Sequence, residues 1–127
     1  MTESSARRVL VIDDMGSMRA MTKHLLTSLG CEITGEAENG ADGFTRFQVE
    51  RPDLVLLDIE MPVQDGITTL KMILADDAEA NVIMLTSVDS MMVVEDCLFA
   101  GAKDFIRKDL PPEALKARLG EELAKLG

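Results

Sequence analysis

Tryptophan and tyrosine are absent from the 127 residues, and phenylalanine occurs four times. Stacking of nucleic-acid bases on aromatic side chains is therefore not on offer. Positive charge is scarce as well, since 13 Lys and Arg stand against 23 Asp and Glu, a formal net charge of -10. A phosphate-backbone binder needs clustered Lys and Arg, so this balance excludes that class. It suits an Mg²⁺ site and a basic patch on a partner protein, with the remainder solvated surface. The two cysteines, Cys31 and Cys97, show neither metal-ligand spacing nor a disulfide framework and read as reduced thiols. No run approaches the ~20 apolar residues of a membrane span. The start, MTESSARRVLVIDD, holds no apolar signal region before a cleavage site. The expectation is a cytoplasmic protein with no membrane insertion and no nucleic-acid partner.

What is present is a soluble globular composition, 46% apolar and 28% charged, of a length that makes one domain over residues 1–127. Five short apolar runs recur with helical patterns between them. They are VLVID (9–13), the weaker EITGEA (32–37), LVLLD (54–58), VIMLT (82–86) and DFIRK (104–108). The first, third and fourth are continuous rather than alternating, as in strands covered on both faces. Between them run apolar stripes at helical spacing: Met18, Met21, Leu25 and Leu29; Ala41, Phe44 and Phe47; Ile67, Leu70, Ile73 and Leu74. Val94, Cys97, Leu98 and Gly101 make a fourth, and Leu115, Leu119, Leu123 and Leu126 a fifth, with Pro111 and Pro112 suiting its first turn. The order βαβαβαβαβα predicts an α/β fold, a parallel sheet with helices on both faces.

In such a sheet all strand C-termini share one edge, and ligands bind there. Asp13 and Asp14 end the first strand, Asp58 the third, Thr86 and Ser87 the fourth, and Lys108 the fifth. Three carboxylates gathered together cannot all stay ionised without a cation. Hard oxygen ligands at a loop-lined edge suit Mg²⁺. An aspartate beside that ion can act as a nucleophile toward phosphorus, with Lys108 and the Thr86 hydroxyl neutralising the transferring group. Taken one at a time, the same residues have plainer explanations. Asp13 or Asp14 can cap the first helix, Thr86 and Ser87 the fourth, and Lys108 can be a solvated lysine.

Four segments, VLVIDDMGSMRAM, LVLLDIEMPVQDG, VIMLTSVD and AGAKDFIRK, resemble response-regulator receiver domains, in particular the stand-alone chemotaxis type. The likeness runs from about residue 7 to the C-terminus. It implies a flavodoxin-like, doubly wound (βα)5 fold with the family's strand order 2-1-3-4-5. It implies Asp58 as phosphoacceptor, with Mg²⁺ held by Asp13, Asp14, Asp58 and the backbone carbonyl of Glu60. Thr86 would bond the phosphoryl group, Lys108 would pair with it, and Phe105 would be the aromatic switch answering Thr86. The implied partners are a sensor histidine kinase or phosphotransfer protein upstream and a protein target downstream. The implied role is a switch that catalyses only its own phosphorylation and dephosphorylation, and so not an enzyme in the ordinary sense.

Departures from the family pattern are specific. Asp109 replaces the usual proline after the lysine; a cis bond without proline costs roughly 2.5–4 kcal/mol, so a trans Lys108–Asp109 peptide is expected. Phe105 replaces the common tyrosine, which leaves a ring swing driven by packing alone. Glu60 and Val88 flank the entry to Asp58, where they would tune phosphate lifetime. SMMVVEDCLFAGAKD is apolar on more than one face, so Met92, Glu95 and Phe99 are expected to form a partner-docking or dimer surface, on a monomer or weak dimer. The alternative to a phospho-switch is a pseudo-receiver that works by docking alone. A haloacid-dehalogenase phosphatase would need Asp two residues after Asp13, where Met15 stands. A flavodoxin-type flavin carrier would need a Ser/Thr/Gly-rich phosphate loop where DDMGS is acidic. With no DNA-binding segment after the last helix, a stand-alone regulator is the expectation.

Overall fold

Runs of Val, Ile and Leu flanked by helical stretches favour parallel strands, because β-branched and large apolar side chains pack well on a pleated surface covered from both sides. The computed structural model describes residues 6–87 and 91–126. Its strands are β1 (Arg8–Ile12), β2 (Glu32–Ala37), β3 (Leu54–Leu57), β4 (Val82–Thr86) and β5 (Asp104–Arg107). The helices are α1 (Gly16–Ser28), α2 (Gly40–Glu50), α3 (Gly66–Asp76), α4 (Met91–Ala100) and α5 (Pro112–Lys125). All pairings are parallel, in the order β2-β1-β3-β4-β5.

Alternate residues of the central strands point to opposite faces. Val9, Val11, Leu54, Leu56, Ile83 and Leu85 meet Leu25 and Leu26 of α1 and Leu115 and Leu119 of α5. Leu10, Ile12, Val55, Leu57, Val82 and Met84 meet Phe47 of α2, Leu70 and Ile73 of α3 and Cys97 of α4. Each fully buried Leu, Ile or Val stabilises the fold by about 1.5–3 kcal/mol, so these two layers hold the sheet edge rigid. Two stripe residues differ from expectation. Met21 and Leu98 lie outside the core, because the inner face of α1 is turned to bury Thr22 and Leu26 and that of α4 to bury Val94 and Cys97.

The helix starts decide between capping and site chemistry. Asn39 caps α2 and Asp65 caps α3, accepting from the amides of Asp42 and Thr68. The N-cap of α1 is Met15, whose side chain makes no capping bond. Neither Asp13 nor Asp14 is spent as a cap. Thr86 belongs to β4, well before Met91 opens α4. Pro112 occupies the first turn of α5, where its missing N–H costs nothing.

Candidate functional site

Asp13, Asp58 and Lys108 each sit one step beyond the strand that carries them. β1, β3 and β5 stop at Ile12, Leu57 and Arg107, yet the ladder continues through single backbone bonds. Asp13 N donates to Ala37 O at 3.0 Å, Asp58 N to Ile12 O at 2.9 Å and Lys108 N to Thr86 O at 2.8 Å. Each side chain is thus held by sheet geometry at its root and free of the sheet at its tip.

Those tips converge. One carboxylate oxygen from each of Asp13, Asp14 and Asp58 lies within 4.8 Å of the others, with Asp13 and Asp58 buried and Asp14 exposed. Lys108 Nζ is 2.8 Å from Asp13 Oδ2 and 3.2 Å from Asp58 Oδ2. Its side chain is buried, which removes the solvated-lysine reading. Burial raises the Asp58 carboxyl, the Asp13 charge and an Asp14 hydrogen bond add to it, and Lys108 pulls the other way; the pKa is pushed up to about 7. Burial alone would lower the Lys108 ammonium, but its ion pair with Asp13 and the Asp58 charge outweigh that and hold it above its ordinary value.

One lysine therefore faces a pair of buried acids and an exposed third. Asp13 Oδ2 meets the ammonium as an ion pair but lacks a hydrogen-bond partner of good geometry. A buried, under-satisfied carboxylate oxygen beside two further carboxylates fits a hard divalent cation with oxygen ligands. This cluster can bind a metal.

The loop after β3 shapes the mouth of the site. Gly66 N donates to Ile59 O at 2.8 Å, and a Cβ at Gly66 would lie 2.1 Å from the Asp58 carbonyl oxygen. The chain doubles back so closely that only glycine fits. Just before it, Val63 has φ of 70° and Gln64 N donates to Pro62 O at 2.7 Å, a γ-turn of the strained, positive-φ hand. Glu60 is exposed and, with Ile59, Met61, Asp65, Ile67 and Val93, lines a cleft of about 280 Å³ between this loop and α4.

Thr86 is fully buried at the end of β4. Phe105 is half-buried on the adjacent β5, opposite Met84 in register and packed on the α3/α4 layer. Its carbonyl accepts from Arg118 Nη2 of α5 at 3.0 Å. No cis peptide occurs among the described residues, and the Lys108–Asp109 bond is trans; Lys108 reaches both acids without a proline after it. Met92 and Phe99 are 74% and 97% exposed, with exposed Glu95 between them on α4. Val88 lies outside the described residues. Neither Gly66 as a close-approach glycine nor Arg19 was singled out from the sequence, although an Asp-Gly pair is a common turn signal and Arg19 follows the acidic pair by less than two helical turns.

This fold and this acid–lysine edge define a class. The chain belongs to the response regulator receiver domain family, which it matches over residues 9–120. Among curated proteins it is 42% identical to the chemotaxis protein CheY of Bacillus subtilis, over 93% of this chain and 98% of that one. It is 36% identical to CheY of Thermotoga maritima, over 91% and 96%. Among solved structures it is similar to the CheX–CheY–BeF3–Mg complex of Borrelia burgdorferi, with a TM-score of 0.87, 33% identity and coverage of 94% and 88%. The response regulator domain of Thermotoga maritima CheB matches with a TM-score of 0.87, 30% identity and 96% coverage of both chains.

Proposed function

We propose that this receiver domain is a phosphoaspartate switch of a two-component system, with Asp58 the acceptor, working in chemotaxis. The observation that carries the reading is the buried Asp58 carboxylate at the open end of β3, flanked by Asp13 and Asp14 and paired with Lys108 at 3.2 Å. An Asp58 oxygen attacks phosphorus of a phosphohistidine or a small acyl phosphate. The P–N or P–O bond breaks, and the donor leaves with its electron pair. Asp13, Asp14, Asp58 and the Glu60 carbonyl would hold Mg²⁺, which supplies positive charge to keep the acids ionised and offset the incoming phosphoryl oxygens. Lys108 moves its charge from carboxylates to the phosphoryl group, and Thr86 donates its hydroxyl to another oxygen.

Phosphorylation adds about -1.5 to -2 charge and strong acceptor oxygens. Thr86 moves toward them, and the half-buried Phe105 takes the space it leaves. Because Arg118 of α5 holds the Phe105 carbonyl, that change reaches the α4–β5–α5 surface. Met92, Glu95 and Phe99 contribute the α4 part of the face that meets the downstream protein or a second copy. The chemotaxis assignment is supported by the names of the relatives, and a sensor histidine kinase or phosphotransfer protein is the upstream partner. A beryllofluoride titration with Mg²⁺, followed by amide NMR, tests the switch. Shifts are expected at Thr86, Phe105 and along α4. A spectrum that does not change would leave a docking module that is never phosphorylated.

A further inference from the structure

Arg19, early in α1, faces the acidic edge, and the phosphotransfer account does not use it. Its Nη1 donates to the Asp13 carbonyl at 2.7 Å, and its Nε donates to Glu36 Oε1 at 2.9 Å. Lys23 pairs with the other Glu36 oxygen. Hydrogen bonds from Lys23 and then Arg19 hold the Glu36 carboxyl below its ordinary range, so it stays an anion that orients the guanidinium. Glu36 precedes Ala37, whose carbonyl takes the Asp13 amide at 3.0 Å. Asp13 Oδ1 accepts from Met15 N at 2.9 Å. Asp13 is therefore pinned at its amide, its carbonyl and one carboxylate oxygen, and Oδ2 is the oxygen left directed at the cluster.

A guanidinium bonded to the Asp13 carbonyl repels, by simple Coulomb forces, a cation held by that residue's carboxylate. Its contribution must come from geometry. We propose that Arg19 is a positioning residue for the cation site: by gripping the Asp13 carbonyl while anchored to Glu36, it fixes Asp13 Oδ2 in ligating position. This rests on the reading that Asp13, Asp14 and Asp58 take Mg²⁺.

The test is isothermal titration of Mg²⁺ into the full chain and its Arg19→Met and Arg19→Lys variants, with the Asp13 carbonyl ¹³C shift recorded alongside. Loss of an outer-shell partner of a ligand typically costs about 10–100-fold in metal affinity. Arg19→Met is expected to raise Kd by about 10-fold or more, whereas removal of positive charge alone would lower it. Arg19→Lys keeps the charge but cannot donate in two directions as the planar fork does, so its Kd rises by a smaller factor. The Asp13 carbonyl signal moves in both variants. A Kd for Arg19→Met equal to or below that of the wild type overturns the proposal. Should Arg19→Met fail to fold by circular dichroism, Arg19→Lys decides, and an unchanged Kd there overturns it. A wild-type chain that takes up no Mg²⁺ overturns the metal reading and the tether with it; a wild type that binds beside an unaffected Arg19→Met overturns the tether alone.

Discussion

Replacing Asp58 with Asn should stabilise the metal-free protein at alkaline pH and progressively less toward acid. The folded Asp58 carboxyl stands at about 7 against an ordinary 3.8. Below the ordinary value it is protonated in both folded and unfolded chains and has no effect. Between the two values the unfolded chain has lost the proton while the folded chain keeps it, so stability falls as pH rises. Above about 7 the loss is complete, and at about 1.4 kcal/mol per pH unit it reaches about 4 kcal/mol. From pH 5 to pH 8.5 the wild type should lose about 3 kcal/mol relative to Asp58→Asn, since only the stretch up to 7 contributes. The assay is urea unfolding by far-UV circular dichroism in EDTA at those two pH values, for both proteins. Carboxylates remote from the Asp58 cluster contribute equally to both proteins and cancel in the difference. Mg²⁺ should shrink the gap at pH 8.5, because it binds the folded wild type. A gap that does not change with pH, or an Asp58→Asn protein less stable at pH 8.5, would refute the burial argument.

Lys108→Met leaves Asp13 and Asp58 facing each other unneutralised; it should cost the metal-free protein about 3 kcal/mol in urea at pH 8, and Mg²⁺ titration should show tighter binding. Gly66→Ala drives a methyl against the Asp58 carbonyl and Ile59 Cα. A loss of at least ~1–3 kcal/mol is expected, with slowed phosphate uptake by intact mass. Val63 is 84% exposed and buries little, yet it holds φ of 70°. Val63→Asn, suited to that conformation, should stabilise by about 1 kcal/mol in the same unfolding assay. Phe99→Ala should change stability by less than about 0.5 kcal/mol, while pull-down or sedentation-velocity analysis of the phosphorylated form shows weakened partner binding or self-association.

Much of this was readable from residues. The continuous runs at 9–13, 54–58 and 82–86 are apolar because helices cover both faces of the sheet, and that alone located the central strands and the edge where Asp13, Asp58 and Lys108 gather. The weaker EITGEA reads poorly because β2 is an edge strand with partial burial. Inner stripes missed Thr22 and Leu26 because a hydroxyl in the core breaks an apolar pattern, and they included Met21 and Leu98 because apolar character does not by itself say which face is covered. The cap alternative for Asp13 could not be dismissed from spacing; it took the Met15 backbone geometry. Arg19 was invisible for a simpler reason. Its partners are a backbone carbonyl and a side chain on another strand, and neither leaves a trace in local sequence.

The most direct test of Asp58 as a phosphoacceptor is intact mass after incubation with acetyl phosphate and Mg²⁺, beside Asp58→Asn and an Mg²⁺-free control. One added phosphoryl group is expected on the wild type, absent from both controls. The same addition on Asp58→Asn, or none on a wild-type protein that also ignores beryllofluoride, would contradict it.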